Sequence, residues 1–213
     1  MPAILNHPNM ESQQSHSTST LESHALPHLE EEGLVAFERY VSATPCYLEY
    51  GAGGSTLHAV RMGARHVVSV DSSKDWVDAV RKNLPTNSQV DLLYCNIGQV
   101  GAWGRPTDDE DIHAYHTYMA APWKVVGEKS LDPQLVFIDG RFRVACFLYS
   151  LICASPGARI LFDDYMTRKQ YHVVEEFCSR YGNYGRMAVF HVDKQYSLPP
   201  IIARIAEYSI ISD

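Results

Sequence analysis

Residues 47–56 read YLEYGAGGST, a short apolar run with an acid near its end, followed by three glycines and a helix-like segment. Glycine allows positive φ angles and lets a ligand approach the backbone where a Cβ atom would clash. A helix that begins near Ser55 would present free N–H groups and the positive end of its dipole at the same place. The stretch therefore predicts a turn that binds a nucleotide or a related cofactor.

Strand and helix patterns alternate along the chain around this turn. Short runs rich in β-branched residues predict strands, and apolar positions at helical spacing predict helices. Repeated strand–helix units favour an α/β fold, with three layers (α/β/α) and a mostly parallel sheet. We expect seven strands, the last two forming a C-terminal antiparallel hairpin. The predicted strands are 46–50, 65–71, 90–97, 135–139, 159–162, 186–192 and 201–208, and the predicted helices are about 29–41, 55–63, 73–84, 142–154 and 168–181.

Three stretches depart from the alternation. Residues 1–24 are polar and lack apolar periodicity, which predicts a disordered or extended N-terminal tail before a single domain, 25–213. Between 98 and 132 the pattern is lost among Gly, Trp, Pro and acidic residues, and such insertions often act as lids or substrate loops. Pro199 and Pro200 are expected in the loop of the closing hairpin.

Composition and charge limit the classes of function. The chain has 213 residues, 46% of them apolar and 20% charged, which is typical of one globular domain. Its formal charge of −7 makes nucleic acid an unlikely partner. The sequence contains no apolar run long enough to span a bilayer and shows no secretory signal. Its five cysteines include no CxxC pair, so we expect reduced core residues in a cytoplasmic protein.

The spacing of the glycines distinguishes between kinds of cofactor turn. A dinucleotide-binding turn has the pattern G-x-G-x-x-G, whose third glycine lets the helix pack closely on the strand. Counted from Gly51 and Gly53, that third position is Thr56, so the pattern fails there. A P-loop is also excluded, because no Gly-Lys-Ser/Thr follows. Instead, Glu49 precedes the glycines and Asp71 ends the next predicted strand.

This order of acid, glycine turn, helix and second strand-end acid resembles the class I S-adenosylmethionine-dependent methyltransferases, which have a Rossmann-like sheet. The resemblance covers roughly residues 30–208. It implies that Glu49 lies near the methionine part of the cofactor and that Asp71 accepts hydrogen bonds from the ribose hydroxyls. On the residues alone, Glu49 could instead form a buried ion pair or cap the helix. The implied cofactor-binding residues are Glu49, Gly51, Ala52, Gly53, Ser55, Thr56, Asp71, Ser72, Asn96 and Ile97.

Acidic residues also end the fourth and fifth predicted strands. In doubly wound sheets, ligands bind beyond the carboxyl ends of the strands, where the strand order switches. Asp139 and the pair Asp163 and Asp164 should therefore lie beside the glycine turn. These stretches are similar to those of metal-assisted O-methyltransferases, in which strand-end acids hold a divalent cation such as Mg²⁺. The three acids are thus the candidate metal ligands.

Arginines near these acids leave their role open. Arg141 and Arg143 closely follow Asp139, and a guanidinium group could neutralise the acids in place of a metal. The cluster could then be a structural Arg–Asp network, a metal site, or a metal-free site for substrate binding and proton transfer. In the last case Asp139 or Asp164 is the candidate general base, and Arg141 is a further candidate catalytic residue.

We expect an enzyme that transfers a methyl group from S-adenosylmethionine to an oxygen or nitrogen of a small-molecule acceptor. Two other classes stay open: a methyltransferase-like binding or scaffold protein without turnover, and an NAD-linked oxidoreductase, which Thr56 disfavours. Arg168 and Tyr171 could contribute to the acceptor site. Trp103 could stack on adenine, close over the acceptor or anchor its loop. No membrane partner is expected, and the N-terminal extension could provide a homodimer contact.

Overall fold

Strands and helices alternate through residues 26–193 and 196–212, the part of the chain that the computed structural model describes. The predicted tail, 1–24, lies outside these residues. The strands are β1 Cys46–Tyr50, β2 His66–Asp71, β3 Val90–Tyr94, β4 Leu135–Ile138, β5 Arg159–Phe162, β6 Arg180–Tyr184 and β7 Met187–His191. The helices are α1 Glu31–Ser42, α2 Gly54–Arg61, α3 Lys74–Asn83, α4 His116–Glu128, α5 Arg143–Cys153 and α6 Leu198–Tyr208. Short 3₁₀ helices occupy Ala102–Gly104, Ile112–Ala114 and Lys169–Glu176.

The strands form one seven-stranded sheet in the order β3-β2-β1-β4-β5-β7-β6. The first five positions run parallel, whereas β7 pairs antiparallel with both β5 and β6. The chain moves outwards from β1 to β3 and then returns to the other side of β1 with β4. Tyr50 at the end of β1 pairs with Ile138 at the end of β4. The predicted α/β sheet is confirmed, and its strand order switches between β1 and β4.

Apolar clusters on the two faces of the sheet join the three layers. On one face, Phe37 of α1 packs in a cluster with Tyr47 and Phe137, which belong to β1 and β4. On the other face, Tyr118 of α4 and Phe147 of α5 belong to a larger buried cluster. Because side chains alternate along a strand, both faces of the central strands are covered, as the continuous apolar runs predict.

The predicted insertion at 98–132 contains a core helix in its second half. Helix α4 is the crossover from β3 to β4, and it buries Tyr118, Met119 and Trp123 against the sheet. Pro122 lies inside this helix, and a proline in the middle of a stretch normally argues against helix. That proline and the aromatic composition hide the helical pattern in the sequence.

The predicted strand 201–208 is wrong, because Leu198–Tyr208 forms helix α6. Its isoleucines favour a strand locally, but Ile201 is buried in the cluster that also contains α5 residues. Pro199 and Pro200 lie in the first turn of α6 rather than in a hairpin loop, since the first turn needs no N–H donor.

The antiparallel hairpin consists of β6 and β7 instead. The predicted helix 168–181 is wrong in its extent and type, because a 3₁₀ helix ends at Glu176 and β6 begins at Arg180. Strand β6 lies at the edge of the sheet, and its pairing with β7 shifts between Arg180 and Gly182. The sequence RYGNY carries no apolar alternation, so this edge strand gives no strand signal.

The cysteines are free thiols, as expected, although not all of them lie in the core. Cys46, Cys95, Cys146 and Cys178 are buried, whereas Cys153 at the end of α5 is exposed. Within the described residues, no helix combines the length and the apolar character needed to cross a membrane.

Candidate functional site

The glycine turn lies where β1 and β4 end side by side. Gly51 has a φ of +99°, and a Cβ atom there would lie 2.8 Å from the backbone nitrogen of Gly140, which follows β4. Gly53 sits against the ring of Trp76, whose indole N–H donates to the carbonyl of Ala52. Glycine is therefore required at the point where the two strand-end turns meet, and Trp76 fixes the turn from the side of α3.

Glu49 lies fully buried beneath this turn, where three hydroxyl groups donate to its carboxylate. Tyr47 donates at 2.6 Å and Ser69 at 2.7 Å, and Thr56 completes the set. Burial raises the pKa of Glu49, and the hydroxyl donors oppose this shift. Thr56 also accepts a hydrogen bond of 2.9 Å from the N–H of Gly53. Thr56 thus joins the acid to the turn at the position where a dinucleotide turn has glycine, and a direct contact of Glu49 with a cofactor stays a prediction.

Asp71 ends β2 on one side of the turn, and its side chain is partly exposed. Its Oδ1 accepts a hydrogen bond of 2.8 Å from the N–H of Ser73. Burial raises the pKa of Asp71 to about 6, although the N–H of Ser73 and the charge of Arg141 act in the opposite direction. A carboxylate at this place can accept hydrogen bonds from two vicinal hydroxyl groups.

The remaining predicted cofactor residues lie at the same edge of the sheet. Asn96 follows β3 and is exposed, and its Oδ1 accepts a hydrogen bond of 3.2 Å from the N–H of Gly98. Ile97 and Ser55 are buried, the latter in the first turn of α2. Ser72 is buried and donates to the carbonyl of Gly104 at 2.7 Å. Contacts of these residues with a ligand stay predictions.

Asp139, Asp163 and Asp164 come together at the ends of β4 and β5, as predicted. One oxygen of each carboxyl group lies within 4.8 Å of the others. The Asp163 side chain is 1% exposed, whereas those of Asp139 and Asp164 are 30% and 18% exposed. Burial raises the pKa of Asp139 to about 7, with Arg143 opposing this shift and the two other acids adding to it. Asp139 is therefore a partly exposed carboxyl group whose pKa is raised well above the usual range of an aspartate.

Guanidinium groups from three parts of the chain pair with these acids. Arg143 begins α5, Arg168 precedes the third 3₁₀ helix, and Arg186 lies in the turn between β6 and β7. Arg168 also donates to the hydroxyl of buried Tyr171 at 2.8 Å. The ion pairs are Arg143–Asp139 at 3.0 Å, Arg143–Asp164 at 3.2 Å, Arg168–Asp164 at 2.9 Å, Arg186–Asp163 at 2.8 Å and Arg186–Asp164 at 3.1 Å.

The charge balance of this cluster does not fit a divalent cation. Its three carboxyl groups are faced by three guanidinium groups, so the cluster carries no excess of negative charge. A divalent cation is bound by carboxylate oxygens that carry an excess of negative charge. The predicted metal at Asp139, Asp163 and Asp164 therefore has no support from these residues, which form an Arg–Asp network.

Arg141 follows β4 between Asp139 and Arg143 in the sequence and is buried. Its charge lowers the pKa of Asp71, and its backbone N–H donates to the hydroxyl of Tyr118 at 3.4 Å. The electrostatic influence of Arg141 thus reaches the Asp71 side of the glycine turn. Its predicted catalytic role stays a prediction.

Two residues that shape the site have no motif of their own. Arg186 lies far along the chain and reaches the acids only because β7 runs antiparallel beside β5. The sequence signal that could reveal it is an arginine directly after Gly185 in a hairpin turn next to the fifth strand. Trp76 has the pattern of an apolar helix position, yet its indole N–H holds the glycine turn.

Comparisons with known proteins give a consistent result at the level of structure. Neither a family model nor a curated protein matches the chain. Among solved structures, a methyltransferase-like protein from Silicibacter pomeroyi DSS-3 is 30% identical, with a TM-score of 0.80 and coverage of 88% of this chain and 98% of that one. A Staphylococcus aureus protein assigned as a caffeoyl-CoA O-methyltransferase is 11% identical, with a TM-score of 0.57 and coverage of 82% and 89%, a likeness in fold alone.

Proposed function

Because the chain belongs to the class I S-adenosylmethionine-dependent methyltransferases, we propose that it binds S-adenosylmethionine over the glycine turn and transfers its methyl group to a small-molecule acceptor. Asp71 and Asp139 lie on opposite sides of this turn, and their placement is the observation that carries the proposal. The first carboxylate suits the ribose hydroxyls, and the second suits removal of a proton from the acceptor. The bound cofactor would supply an electrophilic methyl group, so orientation of the acceptor accounts for much of the catalysis.

Asp139 is the better candidate for the general base. A pKa of about 7 leaves a large fraction of this carboxyl group ionised at neutral pH while keeping it basic enough to accept a proton. Asp164 contacts the guanidinium groups of Arg143, Arg168 and Arg186, so its carboxylate oxygens are already engaged in ion pairs and are less available to an acceptor.

The acceptor is proposed to be a small molecule with a hydroxyl or amine nucleophile. A formal charge of −7 disfavours binding to the phosphate backbone of nucleic acid. The Arg–Asp network around Asp139 carries no excess of negative charge and leaves the charge of the acceptor open, but a base at this position needs a nucleophile that carries a proton.

Cofactor binding should raise the melting temperature of the protein. At a concentration of S-adenosylmethionine one hundredfold above its Kd, linkage adds about 2.7 kcal/mol, or roughly 5–10 °C for a chain of this size. Differential scanning fluorimetry measures this shift, with NAD at the same concentration as the control. A well-folded protein that NAD stabilises, and that S-adenosylmethionine leaves unchanged at millimolar concentration, would contradict the proposal in favour of an oxidoreductase.

The affinity for S-adenosylmethionine should fall as the pH drops through about 6. The ribose hydroxyls donate to the ionised form of Asp71, whose pKa is about 6 in the free protein, so binding favours loss of its proton. Affinity should therefore be constant above about pH 7 and decrease by up to tenfold per unit at acidic pH. Calorimetric titrations between pH 5 and 8 test this, and an affinity without this decrease in wild type would refute the role of Asp71.

A further inference from the structure

Residues 26–30, here called the N-terminal strap, cross the carboxyl edge of the sheet at the glycine turn. The backbone of Leu26 and Pro27 packs directly on Gly54, where a Cβ atom would overlap the Leu26 carbonyl group. Pro27 is buried, whereas His28 is exposed. Gly54 is the first residue of α2, so the strap lies against the turn that is proposed to hold the cofactor.

The other end of the strap is fixed to the Arg–Asp network. Arg186 donates to the carbonyl of His28 at 2.7 Å while its guanidinium group pairs with Asp163 at 2.8 Å. The backbone N–H of Arg186 also donates to the Glu30 carboxylate at 2.9 Å. Contacts at both ends thus hold His28 above the carboxyl edge between the turn and the acids.

A second segment reaches the same place from the opposite side. The loop after β3 contacts the residue that follows Asp71 at the end of β2, because Ser72 donates to the Gly104 carbonyl at 2.7 Å. The preceding residue, Trp103, has a φ of +61° and a relative exposure of 81%. A left-handed backbone is unfavourable for a bulky residue, and backbone strain of this kind is often found where a segment contacts a ligand.

Trp103 and His28 meet across the glycine turn. Their ring centroids are 6.3 Å apart, with an angle of 45° between the planes. A flat ligand between two stacked rings needs about 7 Å, twice a contact distance of 3.5 Å. The 6.3 Å gap is too small to hold a flat ligand between the rings, so the two rings can only present a joint aromatic surface to one side of it.

We infer that Trp103 and His28 are ligand-binding residues that cover the adenosyl part of the bound cofactor, an inference that rests on the proposed function. Trp103 is held close to Asp71, the proposed ribose ligand, by the contact between Ser72 and Gly104. His28 is held close to the glycine turn by the packing of Leu26 and Pro27 on Gly54. The two aromatic faces add contact area to the ligand and slow its release.

Dissociation of radiolabelled S-adenosylhomocysteine, followed in a chase with excess unlabelled ligand, tests the inference. Trp103→Ala and His28→Ala should each increase the dissociation rate about three- to tenfold. Trp103→Phe should keep most of the slow release, because a second aromatic ring can still cover the ligand. In the double variant the increase should be smaller than the product of the two, because each ring acts through contact with the other.

Tyr181→Ala is the matched control, since Tyr181 is an exposed aromatic residue, at 68%, on the edge strand β6. It should leave the dissociation rate unchanged. If wild type binds the ligand but both Trp103→Ala and His28→Ala release it within twofold of the wild-type rate, the inference is overturned and the proposed function stands. If wild type binds no S-adenosylhomocysteine at millimolar concentration, both fall.

Discussion

Replacing Asp139 by Asn should lower kcat by about 10²- to 10⁴-fold, the range typical for loss of a general base. Asparagine keeps the shape of the side chain and can still contact Arg143, so the Arg–Asp network should persist. It cannot accept a proton at neutral pH. The affinity for S-adenosylmethionine should change little, because Asp71 and the glycine turn are untouched.

The pH profile separates proton transfer from a structural role of Asp139. In wild type, kcat/KM for the acceptor should rise with pH through about 7, because burial raises the pKa of this carboxyl group to that value and only the ionised form is a base. In Asp139→Asn the residual rate should lack this step. The control is Asp91→Asn. Asp91 lies on β3, away from the site, and forms an ion pair with Lys129, so this variant should keep the wild-type profile. A variant at Asp139 that retains full kcat would exclude it as the base.

Replacing Asp71 by Ala should weaken binding of S-adenosylmethionine by about 10- to 100-fold. This is the loss expected when hydrogen bonds to a charged acceptor are removed. The kcat at saturating cofactor should change much less, because Asp71 lies on the other side of the turn from the acids at β4 and β5. Isothermal titration calorimetry measures the affinity, with Asp75→Ala on the exposed face of α3 as the control. Equal affinities of Asp71→Ala and wild type would remove the ribose assignment.

The half of the site around the glycine turn could be predicted from sequence because local residues determine it. Gly51 needs a positive φ and contact with Gly140, and Asp71 ends the next strand along the chain. Parallel strands with short connections bring such residues together in a fixed way. The same rule correctly placed Asp139 beside Asp163 and Asp164.

The other half depends on contacts between distant segments, which the sequence does not reveal. Arg186 neutralises Asp163 across 23 residues, and its hairpin was hidden by the polar edge strand β6. Arg143 follows Asp139 by only four residues and was visible as a neighbouring cation. The sequence could not distinguish a metal site from an Arg–Asp network, because the guanidinium group of Arg186 comes from the antiparallel end of the sheet.

Helices α4 and α6 show where local preference misleads. The isoleucines near 201–205 favour a strand, yet packing of α6 on α5 determines a helix. Pro122 argues against a helix when the local sequence is considered alone, yet α4 forms and buries its residues Tyr118, Met119 and Trp123. In both elements tertiary burial outweighs the propensity of single residues.

A crystal structure of the protein with S-adenosylhomocysteine tests the central claim most directly. We predict that the ribose hydroxyls lie within hydrogen-bonding distance of the Asp71 carboxylate, that the ligand rests on the turn at 51–54, and that its sulfur points towards Asp139. A ligand bound elsewhere, or bound at the turn without contact to Asp71, would contradict the account.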